Sequence, residues 1–172
     1  MSEPTSSATP GELLLHPIAL IALVVLVVND HWMKAAWPGT AVGKISDFAG
    51  LVVFPLALLS LVELGRRALH RPATGSFDSI AAVMVCGLGF LFVKTTELGR
   101  DAYAWAVGSV RWPVQAFGGW LHGEEPSPVH PIGVVRDVTD LVALAALVVP
   151  YALIRSRARK FDELVSADLE QD

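Results

Sequence analysis

Residues 13–31 read LLLHPIALIALVVLVVNDH. After His16 the run carries no polar side chain until it closes on Asn29, Asp30 and His31. Neither a 3.6-residue nor a two-residue period divides it into wet and dry sides, so it does not read as the amphipathic helix of a soluble domain. Its length approaches the ~20 residues that a bilayer-spanning helix needs. Three further blocks of the same kind place spans at about 13–29, 47–65, 77–98 and 134–154. Pro17 falls near the start of the first, where proline is tolerated, and Pro55 and Pro150 fall inside later ones. Neighbouring helices and water can re-satisfy the carbonyls that such prolines free.

Composition supports that reading. The chain is 172 residues long and 53% hydrophobic, with a mean hydropathy of +0.51, which suits one compact membrane domain. A net charge of -4 offers no basic field for nucleic acid. The single cysteine, Cys86, lies in the third block and reads as a small packing residue beside Gly87 and Gly89, which permit close helix approach. Met1–Gly11 lacks the basic residues of a secretory signal, so the first block is expected to be retained after a disordered cytoplasmic tail, residues 1–11.

Lys and Arg set the orientation. Arg66, Arg67 and Arg71 in the second connection, and Arg155, Arg157, Arg159 and Lys160 after the fourth span, put both termini on the cytoplasmic side. All five tryptophans fall in connections one and three, on the opposite side, as an interfacial belt would. In connection three Val107, Val110, Val114, Phe117 and Leu121 repeat at near-helical spacing. Pro113 interrupts them, so two short interfacial helices are expected. The acidic end, with Phe161, Leu164, Val165 and Leu169 on one possible helical face, reads either as disordered or as an extension of span four.

The charges near the bilayer collect at the extracytoplasmic span ends. Asn29, Asp30 and His31 close the first span, and Lys44 and Asp47 open the second. Lys94, Glu97 and Asp101 close the third, while Arg136, Asp137 and Asp140 open the fourth. From Asp78 to Lys94, and from Asp140 to Arg155, the helical rise is roughly 21–24 Å, short of a ~30 Å hydrocarbon core. Lysine can snorkel outward; Asp140 cannot. Helical spacing pairs Lys44 with Asp47, Lys94 with Glu97, Asp137 with Asp140, and Glu97 with Asp101. Ser46 is expected to cap span two, His16 to cap or anchor span one, and Glu63 to pair with Arg66 or Arg67. Lys44, Asp47, Lys94, Asp137 and Asp140 are expected to converge.

Intramembrane charge is a functional-site hypothesis by default. It is also compatible with a structural ion-pair network that fixes helix register. Three chemical readings stand beside that one. Lys44, Lys94 and Arg136 could hold the phosphate of a lipid or polyprenyl head group, with an aspartate or His31 as general base. His31, Asp30, Asp47 and Asp140, with His122 or His130, could hold Zn or Mn, although no tight ligand spacing supports a metal. Proton relay would need polar residues through the inner half of the spans, where only His16, Ser60 and Glu63 stand.

Asn29-Asp30-His31, the run Gly43 to Gly50 and the run Arg136 to Leu141 resemble segments of small, uncharacterised bacterial four-span membrane proteins. The resemblance covers most of the chain and implies no activity. The block patterns of phosphatidic-acid phosphatases, CDP-alcohol phosphotransferases and CAAX-type proteases are missing. The expectation is therefore an all-α, four-helix transmembrane bundle of residues 12–154 in a bacterial inner membrane, with cytoplasmic tails at 1–11 and 155–172. Its expected role is structural or in assembly, without a cofactor. Its partners would be the bilayer and another membrane protein. The alternative is an outer-leaflet enzyme or binding protein for a phosphorylated head group.

Overall fold

A computed structural model describes residues 9–37, 39–123, 125 and 127–169. Every regular element among them is helical. Helix α1 (Pro17–Val28) runs through a π-helical turn (Asn29–Met33) into a short α2 (Lys34–Ala36). Then come α3 (Thr40–Ala68), α4 (Ser76–Thr95), α5 (Glu97–Leu121), a 3₁₀ segment (Val138–Leu147) and α6 (Val148–Leu169). Among the described residues four stretches are long and apolar enough to cross a bilayer: Pro17–Ala36, Ala41–Ala68, Ser76–Thr95 and Val138–Lys160. Their outward surface is that of a multi-pass membrane protein. On α1, Ile21 and Val24 are 64% and 60% exposed, a helix dry on nearly every side.

The chain folds as two units, Met1–Gly87 with Val142–Asp172, and Leu88–Leu141. In the first, Leu56 and Leu59 of α3 are fully buried against Ala19 of α1, Ala82 and Val83 of α4, and Leu153 and Ile154 of α6. Lipid tails are as apolar as these side chains, so close packing rather than water exclusion holds the helices together. Gly87 illustrates the fit, since a methyl group there would overlap the Leu147 side chain. His16 caps α1, its Nδ1 accepting from the Ile18 N–H at 3.3 Å. Pro55 and Pro150 sit buried inside α3 and α6.

In the second unit Thr96 explains why α4 stops and α5 starts. Its hydroxyl donates to the Phe92 carbonyl at 2.8 Å, closing α4, and accepts from the Gly99 N–H at 2.9 Å, opening α5. The extended segment before the 3₁₀ turn returns along α5. The Ile132 N–H donates to the Ala104 carbonyl at 3.1 Å, and the Trp112 indole donates to the Ser127 carbonyl at 2.6 Å. Gly108 allows this approach, because a Cβ there would collide with the His130 carbonyl.

Several boundaries differ from the sequence expectation. Span one continues through the π-turn instead of ending at Asn29, and α3 begins at Thr40, not near Asp47. Span three ends at Thr95 because of the Thr96 cap, and span four begins with 3₁₀ rather than α turns. Connection three is one helix, with Pro113 inside it, instead of two. Proline removes only one helical hydrogen bond, and the apolar stripe on both sides of it keeps one phase. The backbone after Arg155 stays helical to Leu169. The apolar face expected there lies outside the described side chains, and the expected tail disorder at residues 1–8 lies outside the described residues.

Candidate functional site

The first polar cluster belongs to the π-turn of the first unit. Its wider coil, closed by the Lys34 N–H on the Asn29 carbonyl, turns Asn29 inward to complete burial. The Asn29 Nδ2 donates to the Val42 carbonyl at 2.9 Å and to the Ser46 hydroxyl at 2.5 Å. Ser46 passes its own proton on to Asp30 Oδ1 at 2.6 Å, and Lys34 reaches the same oxygen at 2.7 Å. Ser46 is therefore not the cap of α3 but a bridge from its second turn between two residues of the preceding span. Among the described residues Asn29 Oδ1 has no hydrogen-bond partner. His31 is exposed and sets its Nδ1 3.0 Å from the Val27 carbonyl.

The second cluster lies in the second unit. Lys94, in the last turn of α4, meets Asp140, in the first turn of the 3₁₀ segment, at 2.7 Å, and both residues are 8% exposed. The ammonium also stands 5.4 Å from the centre of the Phe90 ring, within cation–π range. Asp137 does not share a helical face with Asp140. It precedes the 3₁₀ segment and caps it, accepting from the Thr139 N–H at 2.8 Å and the Thr139 hydroxyl at 2.7 Å. Lys94 and Glu97, expected to be helical neighbours, are separated by the break at Thr96. Glu97 is instead 3.8 Å from Arg136, beyond hydrogen-bond length. Asp101 accepts from the Arg100 Nε at 2.9 Å, which raises the pKa of the Arg100 guanidinium above its ordinary value.

Lys44 and Asp47 lie half-buried on α3, in the first unit, whereas Lys94, Asp137 and Asp140 belong to the second. Within units the structure joins Asn29, Asp30 and Ser46, and separately Lys94 with Asp140. Among the described residues no three His, Cys, Asp or Glu side chains are grouped as a metal ion would need. His122 is turned to the Gly118 carbonyl at the end of α5.

No family model, curated protein or solved structure matches this chain.

A third cluster escaped the sequence reading. Glu63, nearly buried on α3, does not pair with Arg66 or Arg67. Its Oε1 receives Arg157 of α6 at 2.7 Å, and its Oε2 receives the Gly11 N–H at 2.9 Å. Arg66 turns instead to Asp78 at the start of α4, at 2.7 Å. The one signal in the sequence was Glu63 itself, an acid just inside a basic flank. Its partner lies 94 positions away in a segment whose arginines read as topology signals. Along α3 the rise from Ser46 to Glu63 is roughly 26 Å, so the two polar levels of this unit bracket a dry slab.

Proposed function

We propose that this chain is an integral protein of a bacterial inner membrane, with both termini cytoplasmic, whose charged residues hold its helices together in a structural or assembly role. The observation that carries the reading is the state of the buried charges. Lys94 is matched by Asp140, and Glu63 by Arg157, each at 2.7 Å. A cation kept for a phosphate would stand open to it. Lys94 and Arg157, whose side chains are 11% and 18% exposed, meet carboxylates of their own chain. Orientation rests on the arginines near residues 66–71 and 155–159. The apolar faces of the spans make the bilayer the first partner, with room for another membrane protein on α1. The pairing of Lys94 with Asp140 makes their neutralisations non-additive in a double-mutant cycle, and strictly additive losses would count against it.

The test is a double variant, Lys94→Met with Asp140→Leu, which replaces the ion pair by apolar groups. A structural role predicts that it folds and complements a deletion of the gene in its host. A folded double variant that fails to complement would assign the charges a chemical task and overturn the proposal. Cysteine labelling in a Cys86→Ser background tests the orientation. Ser127→Cys should react from outside the cell, and Ala167→Cys only after permeabilisation.

A further inference from the structure

We propose that the second unit carries a preformed cleft for the phosphate of an anionic head group, with Arg100 and Arg136 as its cationic rim and Trp105 as its wall. The cleft encloses about 200 Å³ and is lined by Arg100, Asp101, Ala104 and Trp105 of α5 and by Pro131 and Ile132 of the returning segment. Two fixed points hold its shape. The Ile132 N–H is bonded to the Ala104 carbonyl, and Gly108 admits the His130 backbone one turn further along. Because both walls are pinned, a ligand would meet a site that needs little ordering.

The charges at its rim differ from the buried pairs. Arg100 uses its Nε for the neighbouring Asp101, an exposed contact, and its planar fork presents further donors to a second acceptor. Arg136 stands only loosely, at 3.8 Å, against Glu97, one helical turn before Arg100, and follows by two residues Val134, which also lines the cleft. Surface pairs of this kind contribute little and yield readily to a phosphate, which Arg binds bidentately. Trp105 is 52% exposed and offers a flat apolar face with one indole N–H.

The rest of α5 indicates the source of the phosphate. Val110, Val114, Phe117 and Leu121 form a stripe, each more than half exposed. It lies roughly 140° round the helix from the cleft at 3.6 residues per turn. A helix with such a stripe settles in the bilayer interface with its apolar side down. The cleft then opens at the level of lipid head groups. A phospholipid is therefore the favoured source, and free phosphate the other.

The experiment uses the full chain purified in mild detergent. Native mass spectrometry counts retained phosphatidylglycerol, and equilibrium dialysis with labelled inorganic phosphate measures the free anion. The wild type should retain phosphatidylglycerol, and Arg100→Gln/Arg136→Gln should lose it at least tenfold at an unchanged melting temperature. Trp105→Leu should weaken retention several-fold. Arg67→Gln/Arg71→Gln, which removes charge elsewhere, should leave it unchanged. Phosphate binding that is lost in the same double variant, without lipid retention, would uphold the phosphate site and assign a soluble ligand. Equal retention by the double variant and the wild type, or no binding of either probe, would overturn the proposal.

Discussion

Replacing Asp140 by Asn removes one charge and almost no volume, and the structure fixes what should follow. The carboxylate stands 2.7 Å from the Lys94 ammonium with both side chains only 11% exposed. Such a pair attracts with several kcal/mol at an effective dielectric of about 20, much of which offsets the cost of desolvating the two ions. Asn keeps an oxygen that can accept from Lys94 but removes the negative charge that faces the ammonium at 2.7 Å. Removing one partner of a buried pair costs about 3–5 kcal/mol. With an unfolding entropy of ~2.1 cal/mol/K per residue, that corresponds to a fall in Tm of roughly 8–14 °C for a chain of this size. The assay is melting of wild type and variant in one detergent, followed by circular dichroism and by fluorescence-detected size exclusion. Lys94→Met should fall comparably, because it removes the cation that faces the carboxylate. The Lys94→Met/Asp140→Leu double variant should recover most of the loss, since an apolar pair is often as stable as the ionic one. A single variant that melts within a degree of wild type would refute the argument. So would a double variant whose loss is the sum of the singles.

Other outcomes follow from the remaining clusters. Arg157→Ala should cost about 3 kcal/mol by stranding Glu63, while Arg67→Ala should change the melting temperature by less than about 0.5 kcal/mol equivalent; similar losses from both would show that Glu63 needs no partner. Ser46→Ala should cost about 1–2 kcal/mol by removing the bridge between Asn29 and Asp30. Asn29→Leu should then cost less in the Ser46→Ala background than in the wild type, read by denaturant unfolding of all four proteins. Gly108→Ala should push the His130 backbone off α5 and break the Trp112 bond to Ser127, seen as a change in tryptophan emission that Gly118→Ala, facing open space, does not produce.

The spans were legible because the apolar blocks are long and their polar ends abrupt; residues 13–31 alone carry most of that signal. Legibility failed where a short-range rule met a longer-range competitor. Glu63 has Arg66 and Arg67 at helical spacing, yet it pairs with Arg157, because α6 stays helical past Ile154 and places a guanidinium beside it. Lys94 and Glu97 have helical spacing too, but the Thr96 hydroxyl bonds back to Phe92 and cuts the helix between them. Pro113 read as a break and is accommodated, since one lost hydrogen bond weighs less than a continuous apolar stripe. Asp140 stood out from depth alone, because its short side chain cannot reach the interface, whereas helical spacing put Lys94 with Glu97 and did not foretell its pairing with Asp140. Arg100 and Trp105 were not singled out, because a cleft depends on where Pro131 and Ile132 return, and no local pattern encodes that.

The π-turn at Asn29–Met33 gives the first span an arithmetic of its own. A turn of this kind is an α-helix holding one residue more than its pitch requires. Deleting one residue there would let the backbone relax into regular helix with the flanking turns still in phase, because five residues of π-turn sweep about the angle that four of α-helix do. What would go is the wider coil that turns Asn29 inward, and with it the bonds to the Val42 carbonyl and the Ser46 hydroxyl. The extra residue is thus a local device: its loss would fall on the Asn29 bonds and leave the direction of the rest of the span unchanged.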